Sequence, residues 1–333
     1  MDNLNYAHAV GRLRVLETRL LDKTKIDRMI DSSSPKDVLK VLEETEYSNF
    51  MAHVNRPEDY EIMLKQALNN LYKLMYEITP EKLVVDVMSV RYDYHNIKVL
   101  MKAKILEKNL DSLLIPLGTV SIGEIKEYLS SKKGNYINPI MEEGITKALG
   151  GFEKDKDPQK IDIVLDAYMY KDMLSKCMKL DYKFLKDYIT IQIDLTNIKT
   201  LIRAKKQEKQ RSFLYDIIID GGNIDKEKYV QLLNEPYENI WKKLTGNPYE
   251  EILKEGIEDY INTGKLSYLE KLSDNFLMEY VKKSKYVAFG LEPIIGFILA
   301  KETEIKILRI IMVGKLNKVS PEVIRERLRD IYV

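Results

Sequence analysis

Asp93-Tyr94-His95-Asn96-Ile97-Lys98-Val99-Leu100-Met101-Lys102-Ala103-Lys104 comes back as Asp194-Leu195-Thr196-Asn197-Ile198-Lys199-Thr200-Leu201-Ile202-Arg203-Ala204-Lys205. Asp, Asn, Ile, Lys, Leu, Ala and the final Lys match at a constant offset of 101, and Glu107-Lys108 recurs as Glu208-Lys209. A fainter third copy, Glu304-Ile305-Lys306-Ile307-Leu308-Arg309, begins its Ile-Lys a further 107 positions on from Ile198. Self-similarity at a fixed period marks a duplicated structural unit. The period is too long for a tetratricopeptide or HEAT array. It predicts three similar helical units, read as residues 1–112, 113–217 and 218–333, and a trimeric shape made from one chain.

The stretch after each copy repeats as well. Gly118-Thr119-Val120-Ser121, Gly222-Asn223-Ile224-Asp225 and Lys318-Val319-Ser320 each read as a loop, one apolar residue, a helix cap and a helix. Ser121 with Glu124 spells a capping box, which satisfies two orphan backbone donors reciprocally. Ser320 before Pro321 places proline at the first helical position, where its missing N–H costs nothing. Asn138-Pro139 with Glu142-Glu143 echoes in Asn247-Pro248 with Glu250-Glu251.

Helical signals run throughout. Tyr6, Val10, Leu13, Leu16 and Leu20 form a stripe at helical spacing. Ser34-Pro35 and Arg56-Pro57 open helices, the second ending at Thr79-Pro80 because the residue before proline avoids the helical region. Asp157-Pro158 starts another, Asp181 the one carrying the second motif copy, and a last long helix spans about Pro293 to Lys315. Tyr188-Ile189-Thr190-Ile191-Gln192-Ile193 is β-branched but sits inside a helical pattern, so it reads as helix. The expected class is all-α.

The chain has 333 residues, 45% hydrophobic and 32% charged, enough for a sizeable core. Lys+Arg is 53 against 52 for Asp+Glu, so no global field draws it to nucleic acid or an anionic surface. With Cys177 alone there is no disulfide framework, and it reads as a small buried hydrophobe. The start of the chain lacks a signal-peptide core, and the longest apolar run, Val287 to Ala300, is broken by Glu292-Pro293. These features predict a cytoplasmic protein without a membrane span.

Catalytic patterns are missing. No phosphate-cradling glycine loop is spelled out, and Gly150-Gly151 and Gly221-Gly222 lack its flanks. His8, His53 and His95 stand apart without the spacing of a zinc site, and the second copy carries Thr196 where the first has His95. The expectation is no cofactor, no metal and no small-molecule substrate. One basic stretch, Lys199 to Arg211, could follow a phosphate backbone; equally, it reads as cations set against a helix dipole.

Within the motif, Asp93 and Asn96 share a helix face with Ile97, Leu100 and Lys104, and Asp194 and Asn197 repeat the placement. Polar groups on an apolar face must find hydrogen-bond partners. Two readings stand: a network fixing helix packing within each unit, or a polar surface shared by the three copies.

Three stretches together resemble the C subunit of prokaryotic V-type (A-type) ATPases, in the family that includes the eukaryotic d subunit. They are Tyr6-Ala7-His8-Ala9-Val10-Gly11-Arg12-Leu13-Arg14, the two Asp-x-x-Asn-Ile-Lys helices, and the tail Gly290-Leu291-Glu292-Pro293 through Pro321-Glu322 to Leu328. The resemblance covers nearly the whole chain. It implies three helical domains around a pseudo-threefold axis, shaped like a funnel. It also implies a non-catalytic rotor subunit, one copy per complex and monomeric in isolation, peripheral on the cytoplasmic face. There it would receive the central stalk, made of the D and F subunits, and sit on the membrane proteolipid ring. On that reading Lys98, Lys104, Lys199, Arg203 and Lys205 are candidates for the stalk-facing surface. A cytosolic helical scaffold, or a nucleic-acid-binding protein using the basic helix 199–211, are the alternatives.

Overall fold

The computed structural model describes residues 3–132, 136–244 and 246–333. Among them every regular element is helical, and no strand occurs. In chain order the helices begin with α1 (Ala7–Glu17), α2 (Lys23–Asp31), α3 (Pro35–Glu43) and α4 (Tyr60–Ile78). Next come α5 (Lys82–Leu106), α6 (Ile122–Ser131), α7 (Pro139–Asp155) and α8 (Gln159–Leu180). They continue as α9 (Lys183–Lys206), α10 (Arg211–Ile217), α11 (Lys226–Leu232) and α12 (Tyr237–Lys243). The last are α13 (Glu250–Thr263), α14 (Ser267–Lys282), α15 (Glu292–Leu316) and α16 (Pro321–Arg327).

Helix starts follow local chemistry. Ser34 accepts from the Asp37 amide, Asn138 from those of Ile140 and Met141, and the Ser121–Glu124 capping box closes in both directions. Asp181 departs from its expected role. It adopts φ 47° and caps the end of α8, and α9 opens two residues later. Asp is one of the few non-glycine residues that enter this left-handed region cheaply.

The chain forms two compact units. One joins Met1–Glu81 to Leu244–Val333; the other is Lys82–Lys243. In the first, α15 is the central element: it packs against α4, α1 and α14. Its buried Ile305, Ile307, Leu308, Ile311 and Met312 join Met29, Ile30, Leu42 and Met63 in one core cluster. In the second, α8 packs against α5, α7 and α9. Helices α5, α9 and α15 carry the three motif copies and are buried around most of their circumference. A helix apolar on all sides belongs in a protein interior. Each buried CH2 there contributes about 0.8 kcal/mol.

The three motif helices also end alike. Glu107, Glu208 and Lys318 take φ of 49°, 51° and 55°. The amides of the next residues, Lys108, Lys209 and Val319, bond back to the carbonyls of Ala103, Ala204 and Gly314 at 3.0, 3.0 and 2.9 Å. This six-to-one bond closes the helix and satisfies a terminal carbonyl. The recurring Glu107-Lys108 and Glu208-Lys209 both lie at this helix end. This end also corrects the basic stretch: 199–211 is not one helix, because α9 stops at Lys206 and Arg211 opens α10.

Candidate functional site

The recurring polar residues are buried and face the loop that follows their own helix. Asp93 Oδ2 accepts from the Thr119 amide (3.0 Å) and hydroxyl (2.7 Å), and Oδ1 from the Val120 amide (2.9 Å). Asp194 Oδ2 accepts from the Asn223 amide (3.0 Å), and Oδ1 from the Ile224 amide and the Tyr229 hydroxyl, both at 3.1 Å. Val120 and Ile224 each stand immediately before a helix cap, Ser121 and Asp225. One turn on, Asn96 grips both backbone groups of Ile115: its Oδ1 accepts from the amide at 2.9 Å and its Nδ2 donates to the carbonyl at 2.7 Å. Asn197 does the same to Ile219 at 2.9 and 2.8 Å.

A side-chain amide is the natural group for this second task, since it alone offers one donor and one acceptor in the geometry of a peptide. A carboxylate suits the first, because it accepts from several amides and the bonds are charge-assisted. The glycines complete the arrangement: a Cβ at Gly118 would overlap Asp93 Oδ1, and one at Gly222 would overlap Asp194 Oδ1. Burial pushes the Asp93 carboxyl up to about 6, against the downward pull of the Val120 and Thr119 donors.

The third copy performs the carboxylate task in altered form. Counted back from the shared helix end, the residue equivalent to Asp93 and Asp194 is Glu304, at an offset of 110 rather than the 107 that the Ile-Lys match suggests. A slip of three residues leaves a helix face nearly unchanged, which is why the apolar pattern alone misplaced the register. Glu304 Oε2 accepts from the Leu21 amide at 2.5 Å, and Leu21 immediately precedes the cap Asp22 of α2. Val120, Ile224 and Leu21 are thus three versions of one position, and the third motif helix holds the beginning of the chain. Glu304 Oε1 also accepts from the Tyr47 hydroxyl (2.8 Å) and from Lys301 (2.6 Å). Lys301 is 7% and Glu304 5% exposed, so this is a buried ion pair. The sequence places Glu304 in the third copy but hides its role, and that of Lys301, because Ile307 replaces the asparagine and the loop being held lies 283 positions away.

The five candidate cations differ in setting. Lys98 is half-buried and paired with Asp166 at 2.6 Å. Lys205 donates to the Leu233 carbonyl at 2.9 Å and lies 5.1 Å from the Tyr237 ring centre. Lys104 and Arg203 are exposed and Lys199 is half-buried. His95 Nε2 lies 2.9 Å from the Leu113 carbonyl, so it braces the same loop as Asn96. Cys177 is buried, and burial pushes its thiol up to about 11, far from a reactive thiolate. No group of three or more His, Cys, Asp or Glu side chains among the described residues could hold a metal ion. No described helix is long and apolar enough to cross a membrane.

The structure therefore defines an all-helical protein in which buried polar side chains of three long helices hold the backbone just ahead of another helix's cap. The family of the ATP synthase (C/AC39) subunit matches residues 9–327, and the chain belongs to it. That family is a non-catalytic subunit of the multi-subunit rotary ATPase. The chain is 30% identical to the C subunit of the V-type sodium ATPase of Enterococcus hirae, over 96% of this chain and 97% of that one. It is also 30% identical to the C subunit of the A-type ATP synthase of Methanocaldococcus jannaschii, over 98% of this chain and 87% of that one. The equivalent A-type protein of Desulfurococcus is 25% identical over 98% of this chain and 91% of that one.

Proposed function

We propose that this chain is the rotor socket of a V/A-type rotary ATPase, coupling the central stalk (the D and F subunits) to the membrane proteolipid ring for ATP-driven ion pumping or ATP synthesis. The observation that carries the reading is the family match across residues 9–327. The recurrence of one pin and one helix end in all three motif helices supports three helical units, 1–112, 113–217 and 218–333. A part that passes torque must not yield, and buried polar networks with every member satisfied rigidify the structure around them. The chain sits peripherally on the cytoplasmic face through the ring. Lys98, Lys104, Lys199, Arg203 and Lys205 are proposed for the stalk side, Arg203 and Lys104 being the exposed ones. Complementary charge there sets specificity and association rate more than affinity.

The test is co-purification of the tagged chain with the D–F pair and with the proteolipid ring. Capture of both supports the socket; capture of neither overturns it. Charge reversal at Lys199 and Arg203 weakens D–F capture while far-UV circular dichroism stays unchanged. Unaltered capture at low and at physiological salt removes these two residues from the contact.

A further inference from the structure

Between α14 and α15 the chain makes a 3-10 turn, Lys283–Tyr286, and a short loop that closes at Gly290 with φ 135°. Its tip turns two aromatic side chains outward: Tyr286 is 90% exposed and Phe289 47%. Lys282, Lys283 and Lys285 precede them in sequence. Single exposed apolar side chains need no explanation, but two aromatics on one short loop that follows three lysines form a patch.

The backbone beneath this tip is clamped from several sides. Arg14 of α1 donates from Nη2 to the carbonyls of Ser284 (3.1 Å) and Val287 (2.7 Å). Glu17 holds that guanidinium through Nη1 at 2.8 Å and accepts from the Tyr332 hydroxyl at 3.1 Å. Tyr332 in turn shares a hydrogen bond of 2.8 Å with the fully buried Ser284. A side chain at Gly296 would collide with Ser284, so α15 backs directly onto the same junction. One loop is thus held by α1, α15 and the C-terminal tail, all within one compact unit. Lys283 and Lys285 lie 4.9 and 4.8 Å from the ring centres of Tyr280 and Tyr332, and Lys282 pairs with Glu279 at 2.6 Å. Each of the three lysines is thus held against a side chain of the same compact unit.

The residue types select the partner. Protein interface cores favour aromatics with arginine and are depleted in lysine. Tyr and Phe beside lysines with long apolar stems suit the headgroup layer of a bilayer, where amphipathic side chains place one end in each medium. We propose that the Lys282–Phe289 loop is a rigid knuckle that contacts an anionic phospholipid surface directly. This goes beyond attachment through the ring, because it gives the chain a lipid contact of its own.

The test uses the purified full-length chain without any ring subunit, so that its outcome is independent of the socket reading. Sedimentation is measured with phosphatidylcholine vesicles, with and without phosphatidylglycerol. The chain partitions onto the anionic vesicles and not the neutral ones. Each lysine changed to Gln lowers partitioning roughly fivefold, and the triple variant by on the order of a hundredfold. Tyr286→Ser with Phe289→Ser lowers it roughly tenfold. Equal partitioning onto both vesicle types overturns the proposal, as does wild-type binding by these variants. Absence of vesicle binding, with loss of ring capture in the lysine variant, also overturns it and makes the knuckle a protein contact. Lys283, Tyr286 and Phe289 are exposed and Lys282 and Lys285 half-buried, and unchanged circular dichroism checks that the variants fold.

Discussion

Replacing Asn197 with Ala tests how much one pin holds. The side chain is 1% exposed and engages both backbone groups of Ile219, itself 7% exposed, at 2.9 and 2.8 Å. Its removal leaves one N–H and one C=O without a partner inside the protein. Each orphaned buried group costs about 1–3 kcal/mol, so the substitution costs about 2–6 kcal/mol. Asn96 makes the same two bonds to Ile115, but there the bonds are only part-buried, and water can reach the freed groups. That substitution is therefore cheaper, about 1–2 kcal/mol. Both residues lie in the Lys82–Lys243 unit, so the comparison stays within one compact body. Urea titration followed by far-UV circular dichroism gives the two midpoints at a common slope. A cost below about 1 kcal/mol at Asn197, or a larger cost at Asn96, would falsify the reasoning that burial of the held peptide sets the value.

Other outcomes rest on the same geometry. Gly118→Ala and Gly222→Ala each drive a Cβ into a carboxylate and cost roughly 1–3 kcal/mol. Gly150→Ala, in mid-α7 with nothing within 4 Å, gains about 0.5–1 kcal/mol in the same assay. The raised Asp93 carboxyl, at about 6 in the folded protein, binds protons that the unfolded chain has released. Its contribution to stability is present at low pH and is lost as pH rises from about 4 to about 6, by roughly 3 kcal/mol. Wild type and Asp93→Asn titrated with urea at several pH values show this as a difference in slope, and parallel curves contradict it. Lys301→Met leaves Glu304 and Glu46 without the cation that lies 2.6 and 3.6 Å from them, and lowers stability by about 3–5 kcal/mol in thermal unfolding. A loss under about 1 kcal/mol would mean that the buried pair is dispensable.

Most of the helical layout was readable from residue order because its signals are local. Ser34-Pro35, Asn138-Pro139 and the Ser121–Glu124 box each act within one turn, and each begins a helix. Tyr188 to Ile193 lies in α9 despite its β-branched residues, since burial in the interior outweighs their weak strand preference. Asp181 misled because the same side chain that caps a helix start tolerates the left-handed conformation that ends one. The Asp–Asn pairs were visible as a repeat, yet their partners were not. Ile115, Val120, Ile219 and Ile224 take part through backbone atoms, which leave no trace in side-chain identity. The third pin was hidden twice over. Its carboxylate moved to a longer side chain with a buried lysine beside it, and the amide it holds belongs to Leu21.

The central claim is mechanical coupling without catalysis, and reconstitution of the rotary complex with and without this chain addresses it directly. In proteoliposomes the account expects ATP hydrolysis by the catalytic head to persist when the chain is left out. ATP-driven ion uptake is then lost, and it returns when the purified chain is added back. Ion uptake at the full rate in its absence, or ATP hydrolysis by the purified chain that disappears on mutation of its own residues, would contradict the account.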